Sequence, residues 1–551
     1  MCGIFAYYNK DGFKFDKHFI DNLNLQVTKL DHRGYTSKKF IVNNKLYIYH
    51  RRLSINDVSS KGDQPFYING IFCIVNGEIY NYEELKKLVT DYKFKSTSDC
   101  EILIPLYNKF GSQFVSKLQG MFSFVLYDSK KNIFITGRDH LGITSLYYAK
   151  KDNSIIFSSE MKAITELSGD IHNFKPGQLY INSDFFTYYR PEWENKSLEN
   201  TISVNYDDIK NKLTESVKLH TKSDVPIGIL LSGGLDSSLV TSIMCKLKKN
   251  GEIPFNIKTF TIGVENSSDI VAAEKVAEFL NTDHTSYNFE PEDAISVLED
   301  VIYGIETYDI TTVRASIPLY LLTMWIKEDT DIKVILSAEV ADELFGGYLY
   351  FHKAPNPQEM QDELVDKVEL LHKYDLLRAH KTSLANTIEL RVPFAYQPFV
   401  DYVMSIDSEK KMINPNGDNN IEKYILRKAF DNGEYLPQDI LWRAKEQFSD
   451  GVSTEKENVI DYLKKHADAV ISDDEFNKKN ETYPVNTPIT KEGYLYRKIF
   501  ENKFPHKSCV ETVDHNIKSI SCSTERALRW MGLDENSEIN DPSGRSMSSQ
   551  I

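Results

Sequence analysis

The sequence predicts two domains of different construction: a layered α+β domain over residues 2–188, then an α/β domain on a parallel sheet over 207–525. In the first, short runs of β-branched and aromatic residues at 71–75, 122–126, 133–136 and 155–157 are separated by Gly, Asp and Asn turn signals. Helix-like stretches at 83–89 and 101–109 interrupt them. In the second, apolar runs at 225–231, 257–264 and 333–336 are each followed by a helix-like segment. Long helical patterns such as 317–326 and 364–371 fill the remainder. Strand-then-helix alternation implies parallel strands with ligands at their carboxyl ends. Residues 189–206 read as a linker with little capacity to form a core, and 526–551 as a polar tail without periodicity.

Bulk properties agree with this division. A chain of 551 residues exceeds one ordinary hydrophobic core. Its 41% hydrophobic and 26% charged residues are the balance of a globular protein. A formal net charge of -15 argues against a general nucleic-acid binder, whose footprint is basic. Six cysteines are scattered without CxxC or metal spacing, which suits a reducing compartment. The N-terminus lacks the basic and apolar regions of a signal peptide, and no run approaches the ~18 apolar residues that span a bilayer. The expectation is a cytoplasmic protein with no membrane partner.

Cys2 directly follows Met1, and removal of Met1 would make it the first residue. Such a cysteine carries its own base, because a free α-amine has a pKa of about 7.7–8.0 against about 8.5 for a thiol. Nucleophile and proton shuttle then lie on one residue. His32-Arg33-Gly34, Arg52-Leu53-Ser54-Ile55, Asn76-Gly77-Glu78-Ile79-Tyr80-Asn81 and Ser98-Asp99-Cys100-Glu101 follow in order. Arg52 offers a planar fork for an α-carboxylate, while Glu78 and Asp99 suit an α-ammonium. The Asn76 side chain and the Gly77 N–H can form an oxyanion hole, with glycine allowing close approach to a substrate. The bland alternative is an Asn-Gly turn after a strand, which leaves the other motifs unexplained. With these motifs the first domain resembles a class II glutamine amidotransferase. The resemblance implies an N-terminal nucleophile glutaminase fold, an αββα sandwich. It also places Arg52, Leu53, Ser54, Ile55 and Asn56 around glutamine, together with Asn76, Gly77, Glu78 and Asp99.

The second domain opens its sheet with Ser232-Gly233-Gly234-Leu235-Asp236-Ser237-Ser238 between an apolar strand and a helix. Glycine N–H groups, serine hydroxyls and a helix N-terminus together favour a pyrophosphate, and Asp236 can hold Mg²⁺ on it. A Walker A lysine is absent, which disfavours a kinase or GTPase. The loop resembles that of ATP pyrophosphatases. Glu306-Thr307-Tyr308-Asp309, Thr311 to Ser316, Asp342 to Tyr348, Arg391-Val392-Pro393-Phe394 and Trp442 to Gly451 extend the likeness to the asparagine synthetase family over roughly residues 2–525. That resemblance implies ATP at Leu230, Ser232, Gly233, Gly234, Asp236 and Ser237, and at Ile262, Ser337 and Ala338, with Leu230 and Ile262 flanking the adenine. It implies Mg²⁺ at Asp236 and Asp342. Arg314 and Lys445 would neutralise phosphates, and Glu339 would promote aspartyl-adenylate formation or accept the ammonia proton. The implied substrates are glutamine, aspartate and ATP, with a homodimer left open.

The chain departs from the family at several positions. Thr36 stands where the family has Asp, Ser145 where it has Pro, and Tyr396 where it has Asp. Ser337-Ala338-Glu339-Val340-Ala341-Asp342-Glu343 replaces SGEGSDE. If either lost glycine sits at positive φ, Ala338 or Val340 is strained. The competing readings are a glutaminase with an impaired or acceptor-shifted synthetase half, and a non-catalytic nucleotide- or glutamine-binding regulator.

Overall fold

The computed structural model describes residues 1–414, 417, 419–445, 452–453, 458–514 and 524–533. The motif stretch 446–451 and the tail from 534 lie outside the described residues.

Twelve strands build the first half: β1 (Gly3–Asn9), β2 (Thr36–Val42), β3 (Leu46–Arg52), β4 (Phe66–Ile68), β5 (Ile71–Ile79), β6 (Gly120–Asp128), β7 (Ile133–Arg138), β8 (Tyr147–Lys151), β9 (Ser154–Ser158), β10 (Ile171–Asn173), β11 (Gln178–Ile181) and β12 (Asp184–Thr187). They form two antiparallel sheets, ordered β10-β8-β9-β1-β3-β2 and β12-β11-β7-β6-β5-β4. Side-chain alternation explains why the sheets stack. In β1, Ile4, Ala6 and Tyr8 join Ile48, Val125, Tyr127 and Phe134 between the sheets. Phe5 and Tyr7 face the other way, onto Leu23 and Val27 of helix Lys17–Val27. In β6, Phe122, Phe124 and Leu126 face Leu103, Ile104 and Leu106 of helix Leu103–Phe110. Helix, sheet, sheet, helix is therefore the layer order. The expected run at 83–89 is helical only over Tyr82–Lys86, and i→i−3 bonds from Lys87, Leu88 and Val89 close it as turns before a second β-branched residue, Thr90.

The second half holds a parallel sheet, ordered β15-β14-β13-β16-β17, from β13 (Ile227–Leu230), β14 (Lys258–Gly263), β15 (Asp283–Asn288), β16 (Val334–Leu336) and β17 (Glu389–Arg391). Its runs are continuous because both faces are covered. Its core is continuous with the outer face of the first sheet, where Phe5, Tyr7 and Tyr49 belong to the same cluster as Ile229 and Leu336.

Two expectations are modified. The stretch 190–205 is not without core residues, since Trp193 is buried with its Nε1–H donating to Asp401 at 3.0 Å. One large aromatic ring is enough to tie a polar segment down. Past 525, helix Glu525–Trp530 docks through Arg526 on Glu363 (2.9 Å) and Asp366 (2.5 Å), and Trp530 packs on Tyr350 and Phe351. Residues 524–533 are thus docked on the second half. None of the described helices is long and apolar enough to cross a membrane.

Candidate active sites

Cys2 is buried just before β1, its Sγ 3.9 Å from the Leu53 carbonyl. Burial pushes its thiol up, opposed by the neighbouring N-terminal ammonium. Arg33, fully buried, donates from Nε to the Cys2 carbonyl at 2.9 Å and from its terminal nitrogen to Glu160 at 2.5 Å. With Met1 in place the free ammonium belongs to Met1, and it pairs with Glu389 of the second half at 2.5 Å. Glu389 also pairs with Arg391, which reaches Glu78 at 3.3 Å. The nucleophile strand is therefore seated across the seam between the two halves.

The Asn76-Gly77 pair lies inside β5, not in a turn. Along that strand Val75 N–H donates to Gln64 Oε1 (2.6 Å) and Ile79 N–H to Asp99 Oδ2 (2.6 Å). Alternate N–H groups of a strand share one direction, so the Gly77 N–H between them faces the same edge, away from β6. Opposite it, Phe122 directs its N–H and C=O to Asp139 instead. Asn76 Oδ1 is buried without a hydrogen-bond partner among the described residues. Glycine at 77 has a reason that sequence reasoning assigned to the substrate. Its φ is +141°, and a Cβ there would lie 1.9 Å from the Met121 carbonyl oxygen of β6.

Glu78, Asp99 and Asn56 converge, with Asn56 Nδ2 donating to Glu78 and lying 3.5 Å from Asp99. Burial, then the Asp99 charge, pushes the Glu78 carboxyl well up; burial likewise raises Asp99. Arg52 is here engaged by the Ser59 carbonyl (2.7 Å), Asp63 (2.7 Å) and the Asp57 carbonyl. Leu53 and Ile55 are buried side chains, and what they offer a ligand is backbone. Of the departures, Thr36 is exposed on β2 opposite Arg52, and Ser145 donates to the Ser159 carbonyl at 2.7 Å.

At the carboxyl ends of β13, β14 and β16 lies a cavity of about 200 Å³. Leu230, Ser232, Gly234, Asp236 and Ser237 line it, together with Ile262, Ser337, Ala338, Glu339, Asp342 and Lys445. Ser232 N–H donates to Ser237 Oγ at 3.2 Å, and the two hydroxyls lie 3.0 Å apart. Gly233 is outside the lining: φ is +71° and a Cβ would meet the Ala272 backbone at 2.4 Å, so it serves the close packing of loop on helix. Asp342 is bridged by Lys445 and Lys423, each at 2.6 Å, and Lys423 also pairs with Asp236. Burial would raise the Asp342 carboxyl, yet Lys423 and Lys445 outweigh it and hold it well below the carboxylate range. Glu339 accepts both terminal nitrogens of Arg378, at 3.1 and 2.7 Å.

Arg314 is outside the lining of this cavity among the described residues, and its guanidinium forks onto Glu492 at 2.8 and 2.6 Å where helix Ile310–Asp329 meets helix Lys491–Lys503. Tyr396 does not line the cavity and donates across the seam to Gln119 at 2.7 Å, so its replacement of Asp bears on domain contact. Val340 does sit at positive φ (+82°), whereas Ala338 does not. Lys423 and Arg378 escaped the sequence reading. No local motif marks either, and Lys423 meets Asp236 only through a separation of 187 residues.

A buried cysteine at the start of an antiparallel sandwich, followed in the same chain by a phosphate-type loop on a parallel sheet, defines a two-domain amidotransferase whose second half is of the ATP pyrophosphatase kind. A glutamine amidotransferase domain model matches residues 1–190, and an asparagine synthase model matches residues 208–361 and 354–529. Asparagine synthetase [glutamine-hydrolyzing] 1 of Arabidopsis thaliana is 43% identical over 559 residues, 99% of this chain and 93% of that protein. The enzyme of Asparagus officinalis is also 43% identical, over 99% of this chain and 92% of its own. A solved glutamine phosphoribosylpyrophosphate amidotransferase from B. subtilis aligns with 52% of this chain and 91% of its own, at 14% identity and a TM-score of 0.30, too slight to add to the argument. The chain belongs to the glutamine-hydrolysing asparagine synthetase family.

Proposed function

We propose that Cys2, freed of Met1, hydrolyses glutamine, and that the released ammonia aminates an aspartyl-adenylate made in the cavity of the second half. The products are glutamate, asparagine, AMP and pyrophosphate. The observation that carries this reading is that one chain holds both Cys2 before β1 with the outward Gly77 N–H of β5 and the Ser232–Ser238 loop that lines one cavity with Glu339.

In the first half the Cys2 thiol gives its proton to its own α-amine and attacks the glutamine amide carbon. The Gly77 N–H and the Asn76 side chain hold the oxyanion, while Glu78 and Asp99 hold the α-ammonium. Arg52 takes the α-carboxylate by exchanging one of its carbonyl partners. Ammonia leaves, and water cleaves the thioester. In the second half the aspartate side-chain carboxylate attacks the α-phosphorus of ATP and pyrophosphate departs into Ser232, Gly234 and Ser237. Leu230 and Ile262 flank the base, with Ser337 and Ala338 beside it. Lys445 and Lys423 neutralise the developing charge, and Glu339 promotes the adenylation or takes the ammonia proton. Arg314 supports this through the helix it anchors.

Mg²⁺ fits the residues present. Asp236 Oδ1 is buried without a partner among the described residues, and Asp342 faces it across Lys423. One or two carboxylates plus phosphate oxygens are what Mg²⁺ takes, and bound there it would neutralise charge on the pyrophosphate.

The test is AMP release with aspartate, with and without glutamine. AMP that requires aspartate, and asparagine that forms from either glutamine or ammonia, is the expected result. Glutamate release without any AMP would favour a glutaminase with a disabled second half, for which the strained Val340 is the one specific observation.

A further inference from the structure

Glu339 sits on the loop after β16, its side chain 24% exposed at the cavity wall. Nothing on its own loop holds the carboxylate: among the described residues its partner is Arg378, 39 positions on. Arg378 is 8% exposed and makes the paired contact with Glu339 at 3.1 and 2.7 Å, and the same Nη2 that donates to Glu339 also donates to Asp375 at 3.0 Å. Burial works against the Arg378 charge, but Glu339 and Asp375 more than restore it.

The helix that carries Arg378 is itself fixed. Over Asp375–Ala385 its far turns are anchored by Lys381, which donates to Tyr147 Oη at 2.9 Å and pairs with Glu306. His380 on the same helix abuts Arg33, the residue that holds the Cys2 carbonyl. A two-pronged guanidinium contact sets the plane of a carboxylate as well as its position, which a lysine cannot do. The loop it steadies is the one with Val340 at φ +82°.

From these contacts we infer that Arg378, itself part of the cavity lining, is a positioning residue for adenylation, aiming the Glu339 carboxylate into the cavity rather than binding substrate. The inference rests on the function proposed above.

The experiment is a double-mutant cycle on the full chain, read as aspartate-dependent pyrophosphate release with ATP, Mg²⁺ and ammonia. Arg378→Gln should lower kcat by about 100-fold, the scale of a misplaced catalytic group, with KM for ATP and aspartate within about threefold. Arg378→Lys keeps the charge but not the fork and should recover only part of that loss. The double variant Arg378→Gln/Glu339→Gln should be no slower than Glu339→Gln alone, within about threefold, because the two residues act as a unit. Additive losses in the double variant would overturn the inference, and so would a KM rise with kcat unchanged, which marks a direct substrate contact. Glutamine hydrolysis without ATP should be unaffected in every variant; its loss in Arg378→Gln would make the role merely structural. If the unaltered protein releases no pyrophosphate with aspartate, the proposed function fails and this role with it. A failed cycle in an active protein sinks only the role of Arg378.

Discussion

The two sites of this chain hold their reactive groups by opposite means. The proposed glutamine site is built largely from backbone on sheet edges. Cys2 precedes β1, the Gly77 N–H is aimed by the β5–β6 register, and Val75 and Ile79 N–H groups beside it are capped by Gln64 and Asp99. The proposed nucleotide site is built from long charged side chains meeting across loops, as in Asp236–Lys423–Asp342–Lys445 and Arg378–Glu339. Register tolerates no partial error, since a slip of one residue turns a strand over. Charge clusters can be rearranged one side chain at a time. The first site should therefore fail as a unit and the second by degrees.

Cys2→Ala tests the separation most severely. Glutamine-dependent asparagine formation should fall by more than about a thousandfold, as when any lone nucleophile is removed. Ammonia-dependent AMP formation should persist, measured in the same preparation. Loss of both with the fold intact would mean the sites are not independent. Intact-mass measurement bears on the same point: a mature protein that keeps Met1 would leave Cys2 without its amine base.

Asp236→Asn is the mirror experiment. It keeps the size but removes the charge opposite Lys423, and should cut AMP formation by about 100-fold while glutamine hydrolysis continues. Unchanged AMP release would reduce Asp236 to a first-turn residue of helix Leu235–Lys249.

This contrast also explains what the sequence made legible. Alternation in β1, β5 and β6 and the strand-then-helix grammar of the second half are local patterns, and the layers follow from them. Cys2, Asn76, Gly77, Glu78 and Asp99 could be named because backbone sites are written in contiguous motifs. Ser232 to Ser237 could be named for the same reason. Lys423 and Arg378 could not, because a side-chain charge finds its partner through the fold. Arg314 shows the same limit in reverse, a motif residue whose partner, Glu492, lies 178 positions away. The reason for glycine at 77 was also hidden, since it depends on the neighbouring strand.

Gly77→Ala sharpens that last point. A Cβ 1.9 Å from the Met121 oxygen forces β5 and β6 apart, so stability should fall by about 3 kcal/mol or more in urea unfolding. Were Gly77 there only to admit substrate, glutamine hydrolysis would drop with stability unchanged.

The smallest expected effect separates two neighbours, Ala338 and Val340. Both replace family glycines beside Glu339, yet only Val340 has positive φ, +82° with ψ −15°. A β-branched residue there carries strain of about 1–3 kcal/mol. The side chain is nonetheless buried in the core, and full burial of a valine is worth about 1.5–3 kcal/mol. Glycine would also lose about 0.5–1 kcal/mol of stability through its freer unfolded chain. These terms nearly cancel, so Val340→Gly should leave the unfolding midpoint almost where it is. Aim is another matter, because the strained residue adjoins Glu339 and opens helix Ala341–Phe345, which carries Asp342. Val340→Gly should therefore raise aspartate-dependent AMP formation by about threefold to tenfold, a fraction of the strain released at the reacting group. Ala338→Gly should do nothing, and Ala338→Gly/Val340→Gly/Ala341→Ser should match Val340→Gly alone. An equal gain from Ala338→Gly would mean that the missing space against the nucleotide, and not backbone strain, limits this half. No gain from any of the three, in a parent that already makes asparagine efficiently, would show that the loop has settled into a conformation in which valine aims Glu339 as well as glycine does.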